Sequence, residues 1–224
     1  MELYVDTANL EHIRHAASLG FISGVTTNPS LLAKEDPGVD IKQRILEIHK
    51  LVGGHLSVEV ISTKTAGMIK EAEEIISWFP EATIKIPMIP EGLAAVRELT
   101  DRDIPTNVTL IFSPTQAIAA ANAGATYVSV FMGRLDDMAN DSLNVINDIC
   151  EIWDVQGFDA QIIAASIRHP IHIVEAAKAG CHIATVPYNV LMQSLKHPLT
   201  TLGVEQFLAD YDKMQTEIQK SMMA

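Results

Sequence analysis

Residues 81–90, EATIKIPMIP, set a lysine between two isoleucines in a run that otherwise reads as a short strand buried on both faces. Strands of that kind belong to parallel sheets, which helices cover on each side. Lysine is among the residues least often buried, because taking an ammonium out of water is costly unless it is paired or loses its proton. Strand alternation decides which way it faces: Thr83, Lys85 and Pro87 share one side, and Ala82, Ile84 and Ile86 the other. If helices cover the isoleucine side, Lys85 turns toward the interior of the sheet.

Seven more β-rich runs accompany this one. They are ELYVD from Glu2, FISGVTT from Phe21, HLSVEV from His55, TNVTLIF from Thr106, TYVSVFM from Thr126, AQIIAAS from Ala160 and HIATVP from His182. Segments of helical periodicity separate them. TKTAGMIKEAEEIISWF has Ser62 and Thr63 near its start as candidate caps, and SPTQAIAAANAGA opens with Ser113 followed by proline at the first helical position. Strands alternating with helices predict parallel crossovers and an α/β fold. Eight of them favour a single (β/α)8 TIM barrel over an open doubly wound sheet. Neither G-x-G-x-x-G nor G-x-x-x-x-G-K-[ST] occurs, which weakens the nucleotide-binding versions of the open fold. All 224 residues read as one barrel domain, with residues 200–224 as an extra C-terminal helix. In that tail Val204, Phe207, Leu208, Tyr211, Met214 and Ile218 recur at helical spacing, an apolar stripe that predicts a partner surface.

Bulk properties narrow the function classes. A net charge of -12 argues against nucleic-acid or anionic-membrane surfaces, which need clustered Lys and Arg. The mean hydropathy of +0.17 is high, as expected of strands buried on both faces, and no apolar run is long enough to span a bilayer. Cys150 and Cys181 are too few for a disulfide framework and lie in apolar contexts, so both read as packed thiols. With an acid at the second residue, where a signal peptide carries basic residues, the expectation is a cytoplasmic protein.

Alternation in the other strands gathers more polar residues on the inward side: Tyr4 and Asp6, Thr26 and Asn28, Ser57 and Glu59, Asn107 and Thr109, Ser129 and Phe131, Ser166 and Arg168. The opposite parity is apolar, with Val5, Val58, Val60, Val108, Leu110, Val128, Val130 and Ile167. A lone buried lysine or aspartate is as easily a structural ion pair as a reactive group. A lysine, two carboxylates, two amides and several hydroxyls at matched depth outweigh that reading, and barrels keep active sites at the strands' C-terminal ends.

A lysine amine attacks a carbonyl only when neutral, and its ordinary pKa of about 10.4 leaves it protonated at pH 7. Burial among Ile, Pro and Met favours the neutral form, which suits Schiff-base formation with a ketone. The resulting iminium is an electron sink that lets a neighbouring C–C bond break or form. Asp6 and Glu59 are candidates for the acid and base, Thr109 for fixing a water, and Asn28, Asn107 and Ser129 for substrate hydroxyls. Arg134 and Arg168 follow late strands, where barrels commonly bind phosphate; each alone reads as a surface salt bridge, the two beside Ser166 as a phosphate site. His169 and His172 in HPIH lack a third ligand in pattern, so capping or packing is favoured over metal binding.

Six motifs in order, GVTTNPSLL, VEVIS, IKIPM, TNVTLIFS, SVFMGRLDD and AASIRHP, make the chain from Glu2 to about Tyr211 resemble the small single-domain transaldolases. The resemblance implies a (β/α)8 barrel of the class I aldolase type in which Lys85 forms the Schiff base, Asp6 is the acid/base and Glu59 activates a water with Thr109. It further implies that Asn28, Asn107, Ser129 and Phe131 line a dihydroxyacetone pocket and that Arg134, Ser166 and Arg168 bind the sugar phosphate. The implied reaction moves a dihydroxyacetone unit from sedoheptulose 7-phosphate to glyceraldehyde 3-phosphate, giving erythrose 4-phosphate and fructose 6-phosphate, in the pentose phosphate pathway. No cofactor or metal is expected, and a pentamer or decamer is. Fructose-6-phosphate aldolase shares the fold and resembles the chain nearly as well, but there a glutamine is expected at Glu59 and a tyrosine at Phe131.

Overall fold

The computed structural model describes residues 1–35, 38 and 40–223. It falls into two compact units, Met1–Leu191 and Met192–Ala224. In the first, eight parallel strands pair in chain order and close into a barrel: β1 Glu2–Asp6, β2 Gly24–Thr26, β3 His55–Glu59, β4 Thr83–Pro87, β5 Thr106–Ile111, β6 Tyr127–Phe131, β7 Gln161–Ala165 and β8 Ile183–Pro187. Between them run α1 Leu10–Ser18, α2 Pro29–Leu32, α3 Ile41–Val52, α4 Thr65–Trp78, α5 Pro90–Thr100, α6 Pro114–Asn122, α7 Met132–Asp137, α8 Ser142–Gln156 and α9 Pro170–Ala179, with α10 Tyr188–Ser194 after β8. Among the described residues no helix is long and apolar enough to cross a membrane.

Pairing carries one parity around the whole barrel: Glu59 lies opposite Lys85, Lys85 opposite Asn107, and Asp6 opposite both Thr26 and Pro187. The other parity supplies the layer under the helices, with Val5, Val25, Ile84, Ile86, Val108, Val128, Val130 and Ala184 fully buried. Each buried Val or Ile there contributes roughly 1.5–3 kcal/mol over an exposed one. Inside, Tyr4, Ile163 and Ile183 form an apolar cluster against which Tyr127 packs.

Strand β2 is shorter than FISGVTT suggests, only Gly24–Thr26. Gly24 is required there because a Cβ would come within 2.8 Å of the Tyr4 ring. Helix α6 starts as expected, with Ser113 Oγ accepting the Gln116 N–H. Helix α4 does not: it begins at Thr65 without a side-chain cap, and Ser62 Oγ instead accepts the Lys64 N–H. The Glu71 carboxylate, well inside α4, turns back to accept the N–H groups of Ile61 and Ser62.

Two departures correct the alternation argument. In β5 the register with β6 passes from Val108–Val128 to Ile111–Val130, so Thr109 and Leu110 share the place of one residue. Leu110 takes a left-handed backbone with φ of 62°, and Ile111 rather than Leu110 continues the outward layer. Strand β7 ends at Ala165, and counting on from it would give Ser166 the outward parity of Ala164. Ser166 instead adopts φ of 58°, which breaks the alternation just past the strand. The backbone turn brings Ser166, Ile167 and Arg168 to the wall of the same cavity, so Ile167 is not in the outward set.

The second unit carries α11, Pro198–Met222, started by proline with His197 Nδ1 accepting the Leu199 N–H. Its stripe residues Val204, Phe207, Leu208, Tyr211, Met214 and Ile218 are all exposed, by 43% to 75%.

Candidate active site

Lys85 is 5% exposed and lies in register between Glu59 and Asn107. Its amine donates to the Thr27 carbonyl at 3.1 Å and meets Glu59 Oε2 at 3.0 Å. Burial alone therefore does not describe its environment: a carboxylate from the neighbouring strand satisfies the charge that the apolar flanks would leave unpaired. An ammonium has three donors, so one remains beyond these two partners.

Asp6 sits at the end of β1, where Thr26 Oγ1 donates to its Oδ1 at 2.7 Å. Thr26 is 2.6 Å from Thr185 Oγ1, and since its own proton goes to the carboxylate it accepts from Thr185. Burial pushes the Asp6 carboxyl above the usual carboxylate range, with Glu59 adding to the rise and Lys85 and the Thr26 hydrogen bond offsetting part of it. A carboxyl displaced that way accepts a proton more readily than an ordinary aspartate does. Thr185 was not foreseen, although it shares parity with Pro187 in β8 and alternation applied to that strand would have found it.

Asn28, past the end of β2, accepts the Leu31 N–H through Oδ1 and so caps α2, which leaves its NH2 group for a ligand. Ser129 Oγ donates to Asn107 Oδ1 at 2.7 Å. Asn107 is wholly buried behind Ser129 and does not itself reach the cavity wall. Thr109 Oγ1 is buried with no hydrogen-bond partner among the described residues, as a hydroxyl reserved for a water or ligand would be.

At the other end of the cavity, Arg134 lies over the Phe131 ring at 5.1 Å, and Phe131 meets Phe112 edge to face. Arg168 Nη2 is held 2.8 Å from Asp137 Oδ2, so its guanidinium is already oriented. Gly133 donates its N–H to the Ser166 carbonyl, and a Cβ at Gly133 would strike that oxygen at 2.1 Å and Arg168 Cγ at 2.6 Å. His172 is buried and accepts the Arg168 N–H through Nδ1, so its other nitrogen donates to Asp136 Oδ2 at 2.8 Å. Burial holds its pKa below the ordinary histidine value. It is a packing and positioning residue, while the His169 ring lies against it, tilted by 48° at a centroid distance of 3.8 Å.

A cavity of about 230 Å³ joins these groups: Asp6, Asn28, Lys85, Ser129, Phe131, Arg134, Ser166 and Arg168 all border it. Ser30 and Lys34 border it too, and Lys34 adds a fourth basic side chain, after Lys85, Arg134 and Arg168, that no periodicity pointed to, because it follows the short α2 rather than a strand. Glu59 reaches the cavity through Lys85 and also borders a second, mainly apolar cavity of about 320 Å³. Among the described residues no group of three or more His, Cys, Asp or Glu is arranged to hold a metal.

Comparison with known proteins shows the family to which the chain belongs. The family model described as Transaldolase/Fructose-6-phosphate aldolase matches residues 3–224. A probable transaldolase of Geobacillus kaustophilus (strain HTA426) is 55% identical over 215 residues, covering 96% of this chain and 100% of that protein. One from Moorella thermoacetica (strain ATCC 39073 / JCM 9320) is 55% identical over 217 residues, covering 97% and 100%. Among solved structures, thiamine phosphate pyrophosphorylase from Pyrococcus furiosus superposes with a TM-score of 0.59 over 83% of this chain and 85% of its own. At 16% identity that likeness concerns the barrel fold alone. With a family model spanning nearly the whole chain and relatives at this identity over their full length, the chain belongs to the transaldolase/fructose-6-phosphate aldolase family.

Proposed function

We propose that this protein is a transaldolase that carries a dihydroxyacetone unit from sedoheptulose 7-phosphate to glyceraldehyde 3-phosphate as a Schiff base on Lys85. The observation that carries the reading is one cavity with a buried, carboxylate-paired lysine and an aspartate whose proton affinity burial raises at one end and two arginines at the other. Glu59, 3.0 Å away, takes the proton that the amine must lose before attacking the ketone. A water between Glu59 and the otherwise unpartnered Thr109 hydroxyl serves dehydration of the carbinolamine. Asp6 then removes the hydroxyl proton as the C–C bond breaks, and returns it when the acceptor aldehyde adds. Asn28 and Ser129 hold hydroxyls of the three-carbon unit, with Asn107 supporting Ser129 from behind. Arg134, Ser166 and Arg168 bind the phosphate; Asp137 holds Arg168 ready for it. This chemistry needs no cofactor.

Fructose-6-phosphate aldolase activity, releasing free dihydroxyacetone, is the alternative. The ionisable Glu59 and apolar Phe131 favour transfer, since the relative with that activity is expected to carry a glutamine and a tyrosine there. A barrel retained only to bind sugar phosphates is a third reading. Borohydride reduction in the presence of fructose 6-phosphate, followed by peptide mass mapping, tests the proposal: an adduct on Lys85 is expected. No adduct would leave only the binding role, and efficient cleavage without an acceptor aldehyde would replace transfer with aldolase activity.

We read residues 1–224 as one barrel domain in the cytoplasm, with residues 200–224 as an extension used in assembly. The exposed stripe on α11 supports a pentamer or decamer in which a second copy covers it. Light scattering at micromolar concentration would return a monomer mass if this is wrong.

A further inference from the structure

Behind the cavity a row of polar side chains crosses the barrel interior. Ser129 Oγ donates to Asn107 Oδ1 at 2.7 Å, Asn107 Nδ2 donates to Ser57 Oγ at 3.0 Å, and Ser57 Oγ lies 2.7 Å from His55 Nε2. Ser57 and Asn107 have no exposed surface, and Ser129 is 2% exposed. His55 ends the row at the start of β3, stacked on Tyr4 at 5.0 Å and edge-on to Tyr127 at 4.7 Å. Burial pushes its pKa down to about 4, so the ring is neutral at pH 7 and one of its nitrogens is an acceptor.

Proton counting gives the row a direction. Ser57 has one proton, and Asn107 already donates to its oxygen; the His55 tautomer with an unprotonated Nε2 is the one that gives that buried proton a partner, so the direction of the row turns on His55. Ser129 likewise has one proton, which Asn107 takes. Ser129 is the only member of the row that borders the cavity, so what it presents there is lone pairs.

We propose that His55 is a positioning residue that fixes this direction through Ser57 and Asn107, making Ser129 an acceptor that selects the donor ketose by a hydroxyl group. The inference rests on the transaldolase reading and concerns the donor side of that site. A buried serine with no acceptor behind it can rotate its proton elsewhere, and the amide of Asn107 then loses its fixed orientation. Dihydroxyacetone carries two hydroxymethyl groups and hydroxyacetone one. The row therefore matters for the first ketone and much less for the second.

The test uses His55→Phe, which keeps an aromatic ring beside Tyr4 and Tyr127 but deletes the acceptor, and His55→Gln, which restores a polar partner. Half-saturating concentrations for borohydride trapping are measured with dihydroxyacetone and with hydroxyacetone, alongside thermal melting. His55→Phe is expected to weaken trapping of dihydroxyacetone about tenfold, the scale of one lost hydrogen bond, with hydroxyacetone changed less than about threefold. His55→Gln should recover most of the difference. Equal losses for both ketones, or a lower melting temperature with no change in selectivity, would overturn the positioning role while leaving Lys85 trapping intact. In 15N-histidine spectra of the unmodified protein at pH 7, His55 should show a protonated Nδ1 and an unprotonated Nε2; a protonated Nε2 would overturn the direction of the row whatever the activity. If the unmodified protein forms no adduct on Lys85 with either ketone, the transaldolase reading falls, and the selectivity with it.

Discussion

Toward the C-terminal ends of the strands the barrel interior holds Lys85, Glu59 and Asp6, whereas toward the N-terminal ends Tyr4, Ile163 and Ile183 fill it, with Tyr127 packed against them. Both ends contain a group whose pKa burial displaces toward the neutral form: Asp6 upward at the mouth and His55 downward at the floor. What differs is the means of offsetting burial. At the mouth ionic pairing does it, between side chains that a cavity can reach; at the floor stacking and a hydroxyl do it, on a ring that does not border the cavity. Pairing leaves groups able to exchange protons with a ligand, and stacking leaves rigidity. Changes at the mouth should thus alter chemistry, and changes in the apolar cluster of the floor, Tyr4, Ile163 and Ile183, stability, while His55 is the floor residue tied to the mouth by the polar row.

The sharpest way to break that contrast is Lys85→Ala. It should abolish turnover and borohydride trapping while far-UV circular dichroism stays that of the folded barrel; normal turnover in this variant would remove Lys85 from the mechanism. Ile183→Ala probes the floor. With Ile183 fully buried, the truncation should cost about 2–5 kcal/mol in urea unfolding, with kcat/KM of the folded fraction little changed. A kinetic defect without a stability loss would show that the two ends are not separable.

Acid sharpens the comparison. His55 has a folded pKa near 4 against an ordinary 6.5, so between these values the unfolded chain takes the proton and the folded one does not. Its contribution is complete above about pH 6.5 and is lost as the pH falls toward 4, by about 3 kcal/mol at most. Urea midpoints at pH 7 and pH 5 should differ less in His55→Phe than in the unmodified protein. The smallest effect is expected from Phe131→Tyr, where a hydroxyl joins an apolar edge of the cavity. It should raise release of free dihydroxyacetone relative to transfer to erythrose 4-phosphate, in a coupled assay with and without the aldehyde. An unchanged ratio would take Phe131 out of that choice.

Much of the mouth was legible before any coordinates, because strand alternation is a property of the backbone. Lys85, Glu59, Asp6, Asn107, Thr109 and Ser129 follow from parity within their own strands. Where the backbone leaves the strand, parity stops informing. Ser166 and Arg168 were assigned inward although counting on from β7 gives Ser166 the outward parity, and they reach the cavity only through a left-handed residue beyond β7. The bulge at Leu110 and the entry of Lys34 from the turn after α2 gave no periodic signal at all. The uncapped start of α4 was misread because Ser62 is a competent cap by type, but its hydroxyl is engaged with Lys64 outside the helix.

By itself, then, the sequence determined the eightfold alternation, the closed apolar layer and the set of polar side chains facing inward, all of which depend on local periodicity and burial. Only the tertiary structure decided that Lys85 is paired with Glu59, that Asn107 stands behind Ser129 in a row ending at His55, and that Asp137 holds Arg168. Those facts turn on distances between residues from different strands and loops, and barrel closure and backbone turns, rather than local preference, set such distances.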